Sequence, residues 1–208
     1  MNEIFLYEPF DAAAFDTRLR WYCPPQKWRI HNSCLVIEPD AKTDYWQKTH
    51  YGFVPDNGHF LFTEVTGDVM ITTSVRFHPV NQYDQAGLMV RISSQCWLKT
   101  SVEYEPQEPN RLGAVVTNAG YSDWSTQDFP KNRAELMLRI RREGSDYLVE
   151  YLIPAIDNKD LWTQIRMAHL HADDGQCPVQ CGLYACSPIA VGYAAEFDFL
   201  KIEQGRVK

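Results

Sequence analysis

Period-2 runs recur along almost the whole chain, and no segment sustains an apolar period of about 3.6, which leaves little room for amphipathic helices. Within 68–77, Val69, Ile71, Thr73, Val75 and Phe77 fall on one face. Similar runs cover 35–38, 60–65, 86–92, 97–104, 112–117, 134–141, 147–152, 162–170, 179–184 and 195–202. Asn57-Gly58, Thr66-Gly67-Asp68 and Glu143-Gly144-Ser145-Asp146 supply turn signals between them. The best helical stretch, 11–20, has few apolar anchors. Short strands with turns every ~8–12 residues predict an all-β sandwich or barrel.

At 208 residues the chain is long enough for a sizeable core, and no linker or repeat divides it, so one domain over 1–208 is expected. Aromatics reach 13%, with 6 Trp, 11 Tyr and 10 Phe. The formal charge of −7 argues against a nucleic-acid partner, which needs clustered Lys and Arg. No apolar run approaches the ~18 residues of a membrane-spanning helix, so no membrane partner is expected. The start, Met1 to Glu8, lacks the basic region of a secretion signal. Cys23, Cys34, Cys96, Cys177, Cys181 and Cys186 are therefore read as reduced thiols of a cytoplasmic protein.

The segments 86–92 and 96–105 flank the tight connection Ser93-Ser94-Gln95 and read as a hairpin. Alternation places Leu88, Val90, Ile92, Leu98, Thr100, Val102 and Tyr104 on one face. Gln85, Met89, Arg91, Trp97, Lys99 and Glu103 fall on the other, with Arg91 near Trp97 and Lys99 near Met89. Such a row suits a sugar-like ligand, with Trp as platform and charged groups forking hydrogen bonds to hydroxyls or a carboxylate. A solvated face with Arg91–Glu103 or Lys99–Glu103 pairs explains the same residues. Polar-aromatic clusters at 43–46, 49–53, 56–59, 81–85 and 121–125 flank the hairpin, either as self-capping turns or as walls of one cleft.

The run Tyr83-Asp84-Gln85-Ala86-Gly87-Leu88-Met89-Val90-Arg91, followed by Trp97-Leu98-Lys99-Thr100 and Val102-Glu103-Tyr104, resembles the DUF1349 family. Thr43-Asp44-Tyr45-Trp46, Gly58-His59-Phe60, Ser122-Asp123-Trp124-Ser125, Tyr184-Ala185-Cys186-Ser187-Pro188 and Phe197-Asp198-Phe199 extend the resemblance over nearly the whole chain. The resemblance implies a concanavalin A-like lectin/glucanase fold, a jelly-roll β-sandwich of two antiparallel sheets with one face concave. It also implies two directions for function. Related folds bind or cut polysaccharides on that face, whereas fungal members include an enolase-regulator-like protein, a protein-interaction role. Fold alone does not choose between them.

Glycoside hydrolysis needs two carboxyl groups about 5–5.5 Å or about 6.5–9.5 Å apart. Retaining glucanases of the resembled fold carry Glu-x-Asp-x-x-Glu on one strand. Here Glu196-Phe197-Asp198-Phe199-Leu200-Lys201 has Lys at the last position. It reads as a closing strand, away from mid-sheet, with Phe197 and Phe199 packed inward. Glu103 with Asp44, Asp84 or Asp123 stays open as an acid–base pair. His169, His171, Cys177, Cys181 and Cys186 lack the spacing of a zinc site, and His50 and His59 lack a clear third ligand, so no metal is expected. There is no Gly-x-Ser-x-Gly elbow, no base for Cys96 and no Gly-rich phosphate loop, and no cofactor is expected.

Two readings result. In the first, a carbohydrate or related small ligand binds on the concave face, with glycosidase-like chemistry open. Trp46, Trp97 and Trp124 would stack on it, Arg91, Lys99 and Glu103 would hold its polar groups, and Asp44, His50, His59, Tyr83 and Asp123 would line the rim. In the second, the same face of a regulatory module of carbohydrate metabolism contacts a protein partner or a second copy of the chain.

Overall fold

The computed structural model describes residues 3–154 and 161–205; Met1 and Asn2 of the start read above lie outside them. Fifteen strands and no helix form among the described residues. The back sheet runs, in spatial order, β13 (Thr163–His169), β12 (Asp146–Leu152), β11 (Glu135–Glu143), β6 (Val69–His78), β15 (Ala194–Gln204), β4 (Cys34–Glu38) and β3 (Lys27–His31), and β1 (Glu3–Glu8) also pairs with β15. The front sheet runs β10 (Tyr121–Phe129), β9 (Asn110–Asn118), β8 (Cys96–Glu103), β7 (Gln85–Ser93), β14 (Val179–Cys186), β5 (His59–Val65) and β2 (Arg20–Tyr22). Every strand pairing is antiparallel, which makes the jelly-roll sandwich expected from the sequence.

Alternation accounts for the main core. Ile71 and Val75 of β6, Leu136, Leu138 and Ile140 of β11, and Leu200 and Ile202 of β15 point to the front sheet. They meet Leu88 and Val90 of β7, Leu98 and Val102 of β8, and Leu183 of β14. The hairpin of β7 and β8 has the expected register, with Gln85 opposite Glu103, Met89 opposite Lys99 and Arg91 opposite Trp97.

The front sheet is covered on its outer face as well. Tyr45, Phe60, Phe62, Met89, Trp97, Val115, Tyr184 and Cys186 form a second buried layer there. The covering element is the long connection 39–58, which folds back on itself through an antiparallel bridge between Tyr45 and Asp56. It is stitched down along its first half. Asp40 N–H donates to His59 Nε2 at 3.0 Å, Ser187 N–H donates to Thr43 Oγ1 at 2.9 Å, and Gln47 N–H donates to Ser122 Oγ at 2.8 Å.

The stretch 11–20, with its few apolar anchors, forms no helix; the Glu8 carboxylate accepts the Phe10 and Asp16 amides at 2.7 and 2.6 Å and holds that connection irregular. Two expectations are corrected. The strand carrying Glu196 and Asp198 lies mid-sheet, between β6 and β4. A register shift between Phe197 and Phe199 puts only Phe197 in the core, while Phe199 lies on the outer face with its ring 6.2 Å from that of Tyr7. Glu196 and Asp198 there both pair with Arg76.

Tyr45 closes the second layer by donating its hydroxyl proton to the Gly58 carbonyl at 2.5 Å. A methyl group at position 58 would lie 2.3 Å from the Tyr45 ring and 2.5 Å from Cys186 Sγ. Gly58→Ala is therefore expected to destabilise the fold by about 1–3 kcal/mol through overpacking. An unchanged urea midpoint would show that the layer is not tightly packed.

Candidate functional site

The site grows from the polar residues that alternation places on the outer face of β7 and β8. Lys99 is only 4% exposed. Its ammonium donates to Gln85 Oε1 at 2.8 Å and to Asp44 Oδ1 at 3.4 Å, with the rings of Trp97 and Tyr184 at 5.9 and 5.6 Å. A buried ammonium is costly unless paired, so the Asp44 carboxylate brought by the covering connection is what lets Lys99 stay there. The Gln85 amide is also committed. Its oxygen accepts from Lys99 and, at 3.2 Å, from the Tyr184 hydroxyl, and its nitrogen donates to Glu103 Oε2 at 3.1 Å and to the Tyr83 carbonyl at 3.2 Å.

Above this floor lies a cavity of about 280 Å³ lined by Asp44, Trp46, Tyr51, Phe53, Tyr83, Gln85, Lys99, Glu103, Val115 and Trp124. One wall is a run of touching rings. Trp46 and Tyr51 lie 5.6 Å apart, and Tyr51 stacks on Phe53 at 5.4 Å with 14° between planes. Trp46 is held by its indole N–H, which donates to the Thr49 carbonyl at 2.8 Å. Tyr83 joins the lining from a left-handed backbone conformation, φ 70°. The turn that imposes it is built on Asp84, whose carboxylate accepts the Val80 and Asn81 amides at 2.9 and 2.7 Å and the Ser187 hydroxyl. Trp124 stands at the mouth on the edge strand β10. A wider depression of about 430 Å³ adjoins across Trp46, Tyr51 and Trp124 and is lined further by Thr49, His50, Ser122 and Asp123.

Of the residues singled out in the sequence, the cavity brings together Asp44, Trp46, Tyr83, Lys99, Glu103 and Trp124. His50 and Asp123 line the depression beside it, and Asp123 pairs with Arg166 at 3.0 Å. The other three sit elsewhere. Trp97 is fully buried beneath the floor and donates its indole N–H to the Ser94 carbonyl at 3.2 Å. Arg91 is buried against Asp56 at 2.8 Å and lies over the Tyr22 ring at 4.5 Å. His59 accepts the Asp40 amide on Nε2, so Nδ1 carries the proton and donates to the Cys23 carbonyl at 2.6 Å. Burial lowers its pKa, which suits a neutral structural pin. Tyr51, Phe53 and Gln85 join the site although they were not singled out as ligand-binding; Tyr51 and Phe53 flank the Gly52 turn, at φ 78°, in the aromatic cluster 49–53.

All six cysteines are free thiols. Among the described residues, no three His, Cys, Asp or Glu side chains gather as a metal site. His169 instead pairs with Asp146 at 2.8 Å, and Cys181 and Cys186 are buried.

A family profile described as "Protein of unknown function (DUF1349)" matches residues 21–205. The chain belongs to this family. "Regulation of enolase protein 1" of Saccharomyces cerevisiae (strain ATCC 204508 / S288c) is 34% identical over 178 residues, covering 86% of this chain and 85% of that protein. A crystal structure of a functionally unknown protein from Saccharomyces cerevisiae superposes with a TM-score of 0.80 at 30% identity, covering 92% of this chain and 98% of the other. Xylan beta-1,4-xylosidase from Bacillus Halodurans C-125 superposes with a TM-score of 0.74 over 95% of this chain but 39% of its own. At 11% identity that likeness shows the sandwich fold alone. Within this DUF1349 member, the long match takes in every residue of the cavity.

Glu103 is pushed far from its ordinary titration range. Burial raises its pKa from 4.5 to about 8; Lys99 opposes the shift, and the Asp44 and Glu105 carboxylates add to it. Between those two values the folded chain holds a proton that the unfolded chain has lost, so stability falls as pH rises through that window. The penalty is complete above about pH 8 and amounts to several kcal/mol on the order set by ~1.4 kcal/mol per unit. Glu103→Gln removes this slope. Parallel stability–pH curves for wild type and variant, from denaturation between pH 4.5 and pH 9, would refute the raised pKa.

Proposed function

We propose that this DUF1349 protein binds a carbohydrate-type small ligand in the cavity over the front sheet. The observation that carries the reading is the meeting, around one cavity, of five aromatic side chains with two carboxyl groups held at fixed positions. Trp46, Tyr51, Phe53, Tyr83 and Trp124 offer faces for the C–H surfaces of a sugar ring, while Asp44 and Glu103 meet its hydroxyls. Glu103, protonated near neutral pH by its surroundings, has the character of a general acid. Glycoside hydrolysis is therefore the reaction to assay on any glycoside that binds.

A second reading rests on the rim. Tyr51 and Phe53 are half exposed, Tyr83 and Trp124 partly so, and Tyr121 lies nearby over Lys48. Protein interfaces favour this chemistry, and a yeast relative is named for regulation of enolase. In that reading the pocket mouth receives a side chain of a protein partner.

A binding screen against mono- and oligosaccharides, run with Trp124→Ala and Glu103→Gln, separates the two. Sugar binding that falls at least tenfold in both variants supports the first reading. Silence across the panel with both variants folded overturns it and favours the partner. Trp97→Ala is the wrong probe, because emptying a fully buried Trp site costs about 3–5 kcal/mol of stability.

A further inference from the structure

We infer that the cavity accepts a single uncharged polyol ring, a neutral monosaccharide unit, and turns away uronic acids and sugar phosphates. This rests on the small-ligand reading above and adds the ligand's charge and size to it.

Size comes first. About 280 Å³ lies just under the ~300–1,000 Å³ of sites for drug-sized ligands, which leaves room for one ring and not for a chain. A substituent on that ring would emerge into the adjoining depression beyond Trp46 and Trp124.

Charge follows from the floor. Lys99 is the cation among the lining residues, and its charge is already paired with Asp44 while it also donates to Gln85. Arg91, the other cation on this face of the hairpin, is held by Asp56 and does not line the cavity. The Gln85 amide uses its oxygen and its nitrogen on protein partners. The second carboxyl oxygens, Oδ2 of Asp44 and Oε1 of Glu103, have no protein donor among the described residues. Near pH 7 the Glu103 carboxyl is protonated and, with Oε2 taking the Gln85 amide, offers its O–H from Oε1, while Asp44 Oδ2 accepts; the ligand must therefore both give and accept hydrogen bonds. Hydroxyl groups do so at no cost in charge. A carboxylate or phosphate brings acceptors alone, which answer Glu103 but not Asp44, and its charge would be desolvated beside the Asp44 carboxylate with the Lys99 ammonium already paired. An amino sugar brings donors, but its ammonium would share Asp44 with the buried ammonium of Lys99.

The test is calorimetric titration of the full chain at pH 7 with glucose, galactose, mannose and xylose, beside glucuronate, glucose 6-phosphate and glucosamine. One neutral sugar is expected to bind at least tenfold tighter than every charged sugar, and Trp124→Ala is expected to weaken it. Asp44→Asn keeps an acceptor oxygen while removing the charge, and is expected to narrow the gap between the neutral sugar and glucuronate. Glucuronate, glucose 6-phosphate or glucosamine binding as well as the neutral sugars would overturn the charge inference and leave the small-ligand reading standing. An oligosaccharide binding tenfold tighter than its monosaccharide would overturn the single-ring inference. Silence from every sugar, with the wild-type chain folded, overturns both.

Discussion

Burial of the front sheet on both of its faces is the constraint from which the site follows. The central strands β7, β8 and β14 are covered almost throughout, by the back sheet on one side and by the connection 39–58 on the other. Apolar groups in the second layer are driven there by the usual ~1.5–3 kcal/mol per large side chain. Lys99, Arg91 and Gln85 share that face, and polar groups left unpaired there would cancel much of the gain. The same connection that covers the aromatics also brings the answering charges, Asp44 to Lys99 and Asp56 to Arg91. Covering the sheet and assembling the cavity floor are one event.

The two buried pairs differ in what they do. Arg91 and Asp56 lock with the Tyr22 hydroxyl, which donates to Asp56 Oδ2 at 3.0 Å, and tie β2 and β7 to the covering connection. Lys99 and Asp44 lie where the cover is incomplete, so one carboxyl oxygen of Asp44 still faces the cavity. Two of the nine non-glycine residues with left-handed backbone among the described residues sit at the same rim. Tyr83 and His50 take φ values of 70° and 64°, a region that L side chains occupy at a cost of about 1–3 kcal/mol. At Tyr83 the surroundings over-determine the conformation: its amide donates to the Tyr104 carbonyl at 2.9 Å, and Asp84 beside it gathers three donors. Strain held in place next to a cavity fits a preorganised binding wall better than a loop that adapts.

Legibility in the sequence varied with burial. Strands with one or two covered faces carry their hydrophobic pattern openly, as in 68–77 and 86–92. Edge strands carry it less evenly: β13 is legible at 162–170, but others are not. The strand β10 is mostly exposed, and its Tyr121-Ser122-Asp123-Trp124-Ser125 reads as a turn cluster, because an edge needs polar residues against pairing with other chains. The three-residue β2 and the exposed β3 are masked for the same reason. The β15 bulge was invisible, since a single inserted residue leaves alternation looking intact while reversing every face beyond it.

The sequence by itself determined the all-β class, the family, the hairpin register and the face on which Gln85, Lys99 and Glu103 stand, because period-2 geometry is local and strict. Only the tertiary structure decided which members of that face line a cavity. Trp97 and Lys99 alternate on the same strand, yet one is floor foundation and the other is floor. The difference arises from where a connection some forty residues upstream comes to rest, and that depends on nonlocal packing of Tyr45 on Gly58 and on charges that find each other only after folding.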